Sequence, residues 1–207
     1  MSAVASPVML LRALPPEEAA RGDFYSLLAR LFGNGPDGSL LRALADAPPI
    51  AQEGALARAW RDLVDASSAM DADAALEEYE ALFAGMGKAA VSLYSGFYAG
   101  APSIDHPRVR IRADLAAFGL APRETATEPE DHFCALFDAM RVLVAGGAGR
   151  GPATVAEQRR FFRDHVEPGV GKFLQALAGA REANFYRKVA ALGAAFLALE
   201  SESFQLD

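Results

Sequence analysis

TEPEDHFCALFDAMRVLVAGG, Thr127 to Gly147, is the stretch whose reading decides the fold. Phe133, Leu136, Phe137, Met140, Leu143 and Val144 recur at spacings of three and four, which is one apolar stripe of an amphipathic helix. The run Gly146 to Pro152 ends it. Upstream, a proline disfavours the α region for the residue before it, so local rules predict Glu128 as the N-cap and Pro129 as the first helical residue. Glu130 and Asp131 then fall in the first turn, where the helix dipole favours carboxylates, and the same dipole favours neutral His132.

The same spacing runs outward in both directions. Phe24, Leu27, Leu28, Leu31 and Phe32 follow Pro15 and Pro16, and Gly33-Asn34-Gly35-Pro36 stops that helix. Leu56, Trp60, Leu63 and Val64 form a second stripe, and Leu76, Tyr79, Leu82 and Phe83 a third. Beyond the opening stretch, Thr154 with Glu157 reads as a capping box for a helix carrying Phe161, Phe162 and Val166. Val170, Phe173, Leu174 and Leu177 follow, then Phe185, Val189, Leu192, Phe196 and Leu199. No segment alternates with period two between hairpin turns, so the expected fold is all-α. Two stretches lack a period, Gly85 to Asp105 and Gly119 to Thr127, and the second reads as a hinge.

Composition narrows the function. The chain has 207 residues, 52% of them apolar and 23% charged, which suits a globular core and excludes wholesale disorder. A net charge of −7 argues against nucleic acid as partner, since phosphate contacts need clustered Lys and Arg. Arg108, Arg110 and Arg112 come nearest to a basic patch, yet on a helix Arg110 points away from the other two. The single cysteine, Cys134, cannot form an internal disulfide, and MSAVASPVMLLRAL lacks the basic lead-in and cleavage pattern of a signal peptide. The longest apolar run, Ala190 to Leu199, is about half a bilayer span, so no membrane insertion is expected. These features point to a cytoplasmic protein.

Catalytic chemistry finds weak footing. Metal sites need several ligands on one face, and Glu128 with His132 is the only carboxylate–imidazole pair at i, i+4. Ser95 stands in YSGFY rather than a nucleophile elbow, Cys134 diverges from its neighbour His132, and Gly85-Met86-Gly87-Lys88 lacks phosphate-loop spacing. The competing enzymatic reading is a small helical metal-dependent hydrolase using Glu128, Asp131 and His132. Against it stands a binding module whose aromatics, in a glycine-rich loop, form a groove for a peptide.

Three segments carry a family resemblance. Tyr79-Glu80-Ala81-Leu82-Phe83-Ala84-Gly85 resembles the Tyr-x-x-Leu-Phe-x-Gly segment of the TorD/DmsD family of cytoplasmic molybdoenzyme chaperones. Glu128-Pro129-Glu130-Asp131-His132 resembles that family's E-P-x-D-H signature, and SLYSGFYAG, Ser92 to Gly100, its Ser- and aromatic-rich loop. Lys88-Ala89-Ala90 departs from the pattern, standing where many members have prolines. The resemblance implies an all-helical fold with a larger N-terminal part (residues 1–119), a hinge (120–127) and a smaller C-terminal part (128–207), or one compact domain overall. It implies no catalysis, metal or cofactor. The implied partner is the catalytic subunit of a molybdoenzyme, bound through its twin-arginine leader peptide or another segment. Tyr79, Leu82 and Phe83 would line an apolar groove, with Glu128, Pro129, Asp131 and His132 at its polar edge and Ser95 and Tyr98 contributed by the loop. A hinge permits either a monomer or a domain-swapped homodimer.

Overall fold

Pro15 and Pro16 cannot continue a helix from upstream but suit its first turn, so helix α1 starts at the second of them and runs Pro16–Gly33. The computed structural model describes residues 14–84, 89–99, 107–120, 128–147 and 150–206. After α1 come α2 (Gly38–Ala45), α3 (Ala55–Ala69), α4 (Ala72–Phe83), α5 (Ser95–Tyr98) and α6 (Pro107–Ala117). Then follow α7 (Phe133–Ala145), α8 (Val155–Phe161), α9 (Glu167–Gly179) and α10 (Phe185–Leu206). Among the described residues there is no strand, only isolated bridges pairing Tyr94 with His132 and Gly147 with Arg150. None of the described helices is long and apolar enough to cross a membrane.

Helix boundaries follow from side-chain acceptors. The Asp37 carboxylate accepts from Leu40 N–H at 2.7 Å to open α2, and Asp71 accepts from Asp73 and Ala74 to open α4. Thr154 and Glu157 form the expected reciprocal capping box on α8. Between α8 and α9 the chain widens into a π-helical turn, Phe162–Val166. Pro168 accounts for it: the residue has no N–H to give, and its ring would meet the carbonyl four residues earlier in a regular helix.

One hydrophobic core joins the helices on both sides of the expected hinge, whose residues 121–127 lie outside the described residues. α1 packs along α7, and α10 crosses α1, α3, α4 and α9. The centre is aromatic: Phe133 stacks on Phe173 at 4.3 Å, and Phe32 meets Phe173 edge-on at 5.0 Å. Distant residues close the helix ends. The Glu78 carboxylate of α4 accepts the N–H groups of Asn184, Phe185 and Tyr186 at the start of α10. The hydroxyls of Tyr186 and Tyr79 donate to the carbonyls of Leu31 and Gly33 at the end of α1.

Candidate functional site

The opening stretch folds differently from its local reading. Helix α7 begins at Phe133, not at Pro129, and its N-cap is His132, whose Nδ1 accepts the Cys134 N–H at 3.2 Å. The reason is non-local. Ser95 N–H donates to the Asp131 carbonyl at 2.8 Å, and Phe133 N–H donates to the Leu93 carbonyl at 2.9 Å, which holds residues 131–133 extended against the loop before α5. His132 N–H donates to the Pro129 carbonyl at 3.0 Å and closes a turn over Pro129 to His132. Glu128 is therefore an exposed residue just before that turn and not the cap, and Pro129 opens the turn and is not the first helical residue. The N-cap that local rules place at Glu128 is made by His132.

The same pairing joins the second and third motif segments, and the Val91 N–H, donating to the Leu82 carbonyl at 3.0 Å, brings the first into the same region. α5 is seated on α9 at Gly169, where a Cβ would come within 3.1 Å of the Ser95 carbonyl oxygen. Next to it, the Tyr94 ring meets His132 edge-on at 5.3 Å. Arg108 of α6 donates to the Asp131 carboxylate at 2.7 Å and lies over the Tyr94 ring, 6.0 Å from its centroid. Arg112 donates to Glu130 at 2.7 Å and holds that carboxyl below its usual range. Burial pushes the Tyr79 hydroxyl up to about 12, with smaller contributions from Cys134, Glu128 and Tyr94. The Cys134 thiol is pushed up to about 12 by burial first, then by Glu128 and Asp138, so it is protonated and a poor nucleophile at neutral pH.

His132 is held neutral. Burial lowers its pKa below 6.5 against the opposing pull of Glu128 and Asp131. With Nδ1 accepting from Cys134, the ring proton sits on Nε2, which lies 3.8 Å from Glu128. A depressed folded-state value means that His132 contributes stability above its unfolded value of about 6.5, lost as pH falls through the folded value. The urea midpoint is therefore expected to fall between about pH 7.5 and pH 5.5 in the wild type, and to fall less in His132→Asn, which can still cap the helix. Equal slopes for the two proteins would show that His132 does not titrate in this window.

The expected groove residues are close together but unequally accessible. Leu82 is fully buried, while Tyr79 and Phe83 are half-buried and meet in a tilted ring contact at 5.1 Å. Ser95 and Tyr98 are buried, and Tyr98 donates to the Ser92 carbonyl at 3.0 Å. The accessible aromatics are instead Phe97, 69% exposed, and Tyr94, 37% exposed. The sequence marked them only as loop aromatics, since a single-turn α5 with Tyr94 at its cap is too short for a periodic stripe to tell groove from core. Arg108 and Arg112 were visible only as a discounted basic patch, and their spacing of four, which puts both on one helix face, was the available signal. The hydrolase alternative finds no support: Asp131 is committed to Arg108, and His132 Nδ1 to a backbone amide. Among the described residues no three of His, Cys, Asp and Glu gather as a metal site would require.

A protein-family model described as nitrate reductase delta subunit matches residues 51–175, more than half of the chain. The matched region contains all three motif segments and the turn at Pro129 to His132. No curated protein matches the chain.

Proposed function

This chain belongs to the nitrate reductase delta subunit family, whose members are chaperones of molybdoenzyme maturation, and we propose that it recognises the leader peptide of its client. On this reading it acts in the cytoplasm, holding the catalytic subunit of a molybdenum-cofactor oxidoreductase through a twin-arginine leader until the cofactor is inserted. The observation that carries the reading is the convergence of the three motif segments beside two accessible aromatics, Tyr94 and Phe97. Glu128 gives the exposed polar edge, Asp131 and His132 are buried beside it, and Tyr79 and Phe83 are half-buried.

Energetics set the division of labour. Micromolar binding requires about −8 kcal/mol, whereas exposed ion pairs contribute about 0–1 kcal/mol each. Burying a phenyl ring supplies about 1.5–3 kcal/mol, so the aromatics carry affinity and the carboxylates carry orientation. Phe97→Ser is expected to weaken leader binding by about tenfold, the lower end of that range, while leaving the melting temperature unchanged because Phe97 is exposed in the free protein. Calorimetry with the leader of the molybdoenzyme subunit that co-purifies with a tagged chain provides the measurement. Unchanged affinity would place recognition elsewhere on the protein.

A further inference from the structure

We propose that α6 is an internal stand-in for the basic segment of the client, and that its N-terminal half must leave the acidic turn before a leader arginine can enter. The inference rests on the recognition reading above and adds a competitor to it. Asp131 has a side chain only 5% exposed, and Arg108 already occupies it. Arg112 likewise occupies Glu130. An arginine arriving from solvent therefore finds both acids neutralised. It can reach Asp131 only in exchange for Arg108, guanidinium for guanidinium, because a buried carboxylate left without a partner is strongly disfavoured.

α6 is attached in a way that permits the exchange. Ile111 is its one fully buried residue, Val109 is 62% exposed, and the two ion pairs tether its N-terminal half to the turn. Ion pairs this exposed on one side are weak and readily traded. The opposite end is anchored differently. Asp114 meets His165 at 2.7 Å, Phe118 packs edge-on against Phe161, and the Arg150 guanidinium donates to the Phe118 carbonyl. The N-terminal half can thus swing about a fixed C-terminal end, with exposure of Ile111 as the apolar cost of the displacement.

The consequence is selectivity. An apolar segment without arginines has nothing to trade for Arg108 and leaves α6 in place, whereas a twin-arginine segment offers like for like. The latch lowers apparent affinity by the fraction of molecules in which α6 is displaced, and removing it should restore that factor.

Two synthetic peptides that share one apolar stretch, preceded by Arg-Arg in one and Gln-Gln in the other, test this on the full chain. Calorimetry is run on the wild type and on Arg108→Gln/Arg112→Gln, with hydrogen exchange followed at the amides of residues 108–117. The Arg-Arg peptide is expected to speed exchange in α6 of the wild type, and to bind the double variant about tenfold more tightly than the wild type. The Gln-Gln peptide should bind both proteins equally and leave α6 protected. If the Arg-Arg peptide binds the wild type with α6 protection unchanged or raised, the exchange is overturned while leader recognition stands, and this readout needs no variant to fold. If a folded double variant binds no more tightly, the exchange is likewise overturned. If neither peptide binds either protein, the competition and the recognition reading fall together.

Discussion

Leu82→Asp is expected to abolish the folded state rather than to yield a folded protein with a damaged groove. Leu82 has no solvent exposure, and its carbonyl accepts the Val91 N–H at 3.0 Å where the chain returns toward the candidate site. Truncating a buried leucine to alanine already costs about 2–5 kcal/mol through lost transfer energy and the cavity left behind. A carboxylate at the same point adds the cost of a buried charge with no cation to meet it, several kcal/mol more. The sum approaches the whole stability of an ordinary domain, about 5–15 kcal/mol. Circular dichroism and a urea titration should show Leu82→Asp unfolded or aggregated, and Leu82→Ala folded with a lowered midpoint. A cooperatively folded Leu82→Asp with a near-native midpoint would show that Leu82 is not part of the core. Loss of client maturation in Leu82→Asp is thus no measure of peptide recognition, which is why Phe97 and not Leu82 is the position that reports on it.

What could be read from sequence divides along the range of the interaction. Helices α1, α3, α4, α7, α9 and α10 announce themselves because their apolar stripes and stop residues are contained within each segment. The capping box of Thr154 and Glu157 spans four residues and was readable for the same reason. The start of α7 was not. Pro129 satisfies every local rule for a first helical residue, but the Asp131 carbonyl and the Phe133 amide find partners at Ser95 and Leu93, and no property of the stretch itself reveals that pairing. The candidate site shows the same division. Its motif residues were found by their pattern, whereas Arg108, which neutralises Asp131 from 23 positions away, became a site residue only through the fold. The stripe of α10 fails for a related reason. Leu199 continues the apolar spacing on paper yet is 49% exposed, and the residue facing the core one position later is Glu200, 3% exposed.

Glu200 carries the second large effect, because its burial makes sense only through partners at the other end of the chain. Its carboxylate accepts Nε and Nη2 of Arg21 at 2.7 and 2.9 Å and the Tyr25 hydroxyl at 2.8 Å, so α10 is fastened to α1 by three bonds across 175 or more positions. Burial, then the Glu200 carboxylate, push the Tyr25 hydroxyl well above its usual range, which keeps it protonated as the donor this geometry requires. Arg21 keeps a second acid in Glu18 at 2.9 Å, so Glu200→Ala does not leave it wholly unpaired. The expected loss is therefore about 3 kcal/mol, the low end for breaking a buried pair, or roughly 6–12 °C in melting temperature for a chain of this size. Replacing the whole cluster with apolar residues of similar volume, Arg21→Met with Tyr25→Phe and Glu200→Leu, should recover most of that loss, because the cost lies in the stranded partners and not in the absence of an ion pair. Urea denaturation of the two variants measures both steps. A change below about 0.5 kcal/mol for Glu200→Ala would mean that α10 is held to α1 by its aromatic contacts alone, Phe196 against Phe24 and Tyr25 and Phe204 beneath Arg21. A triple variant no better than Glu200→Ala would mean instead that the charged cluster sets the register in which α10 lies across α1, and with it the cap that Glu78 places on the first turn of α10.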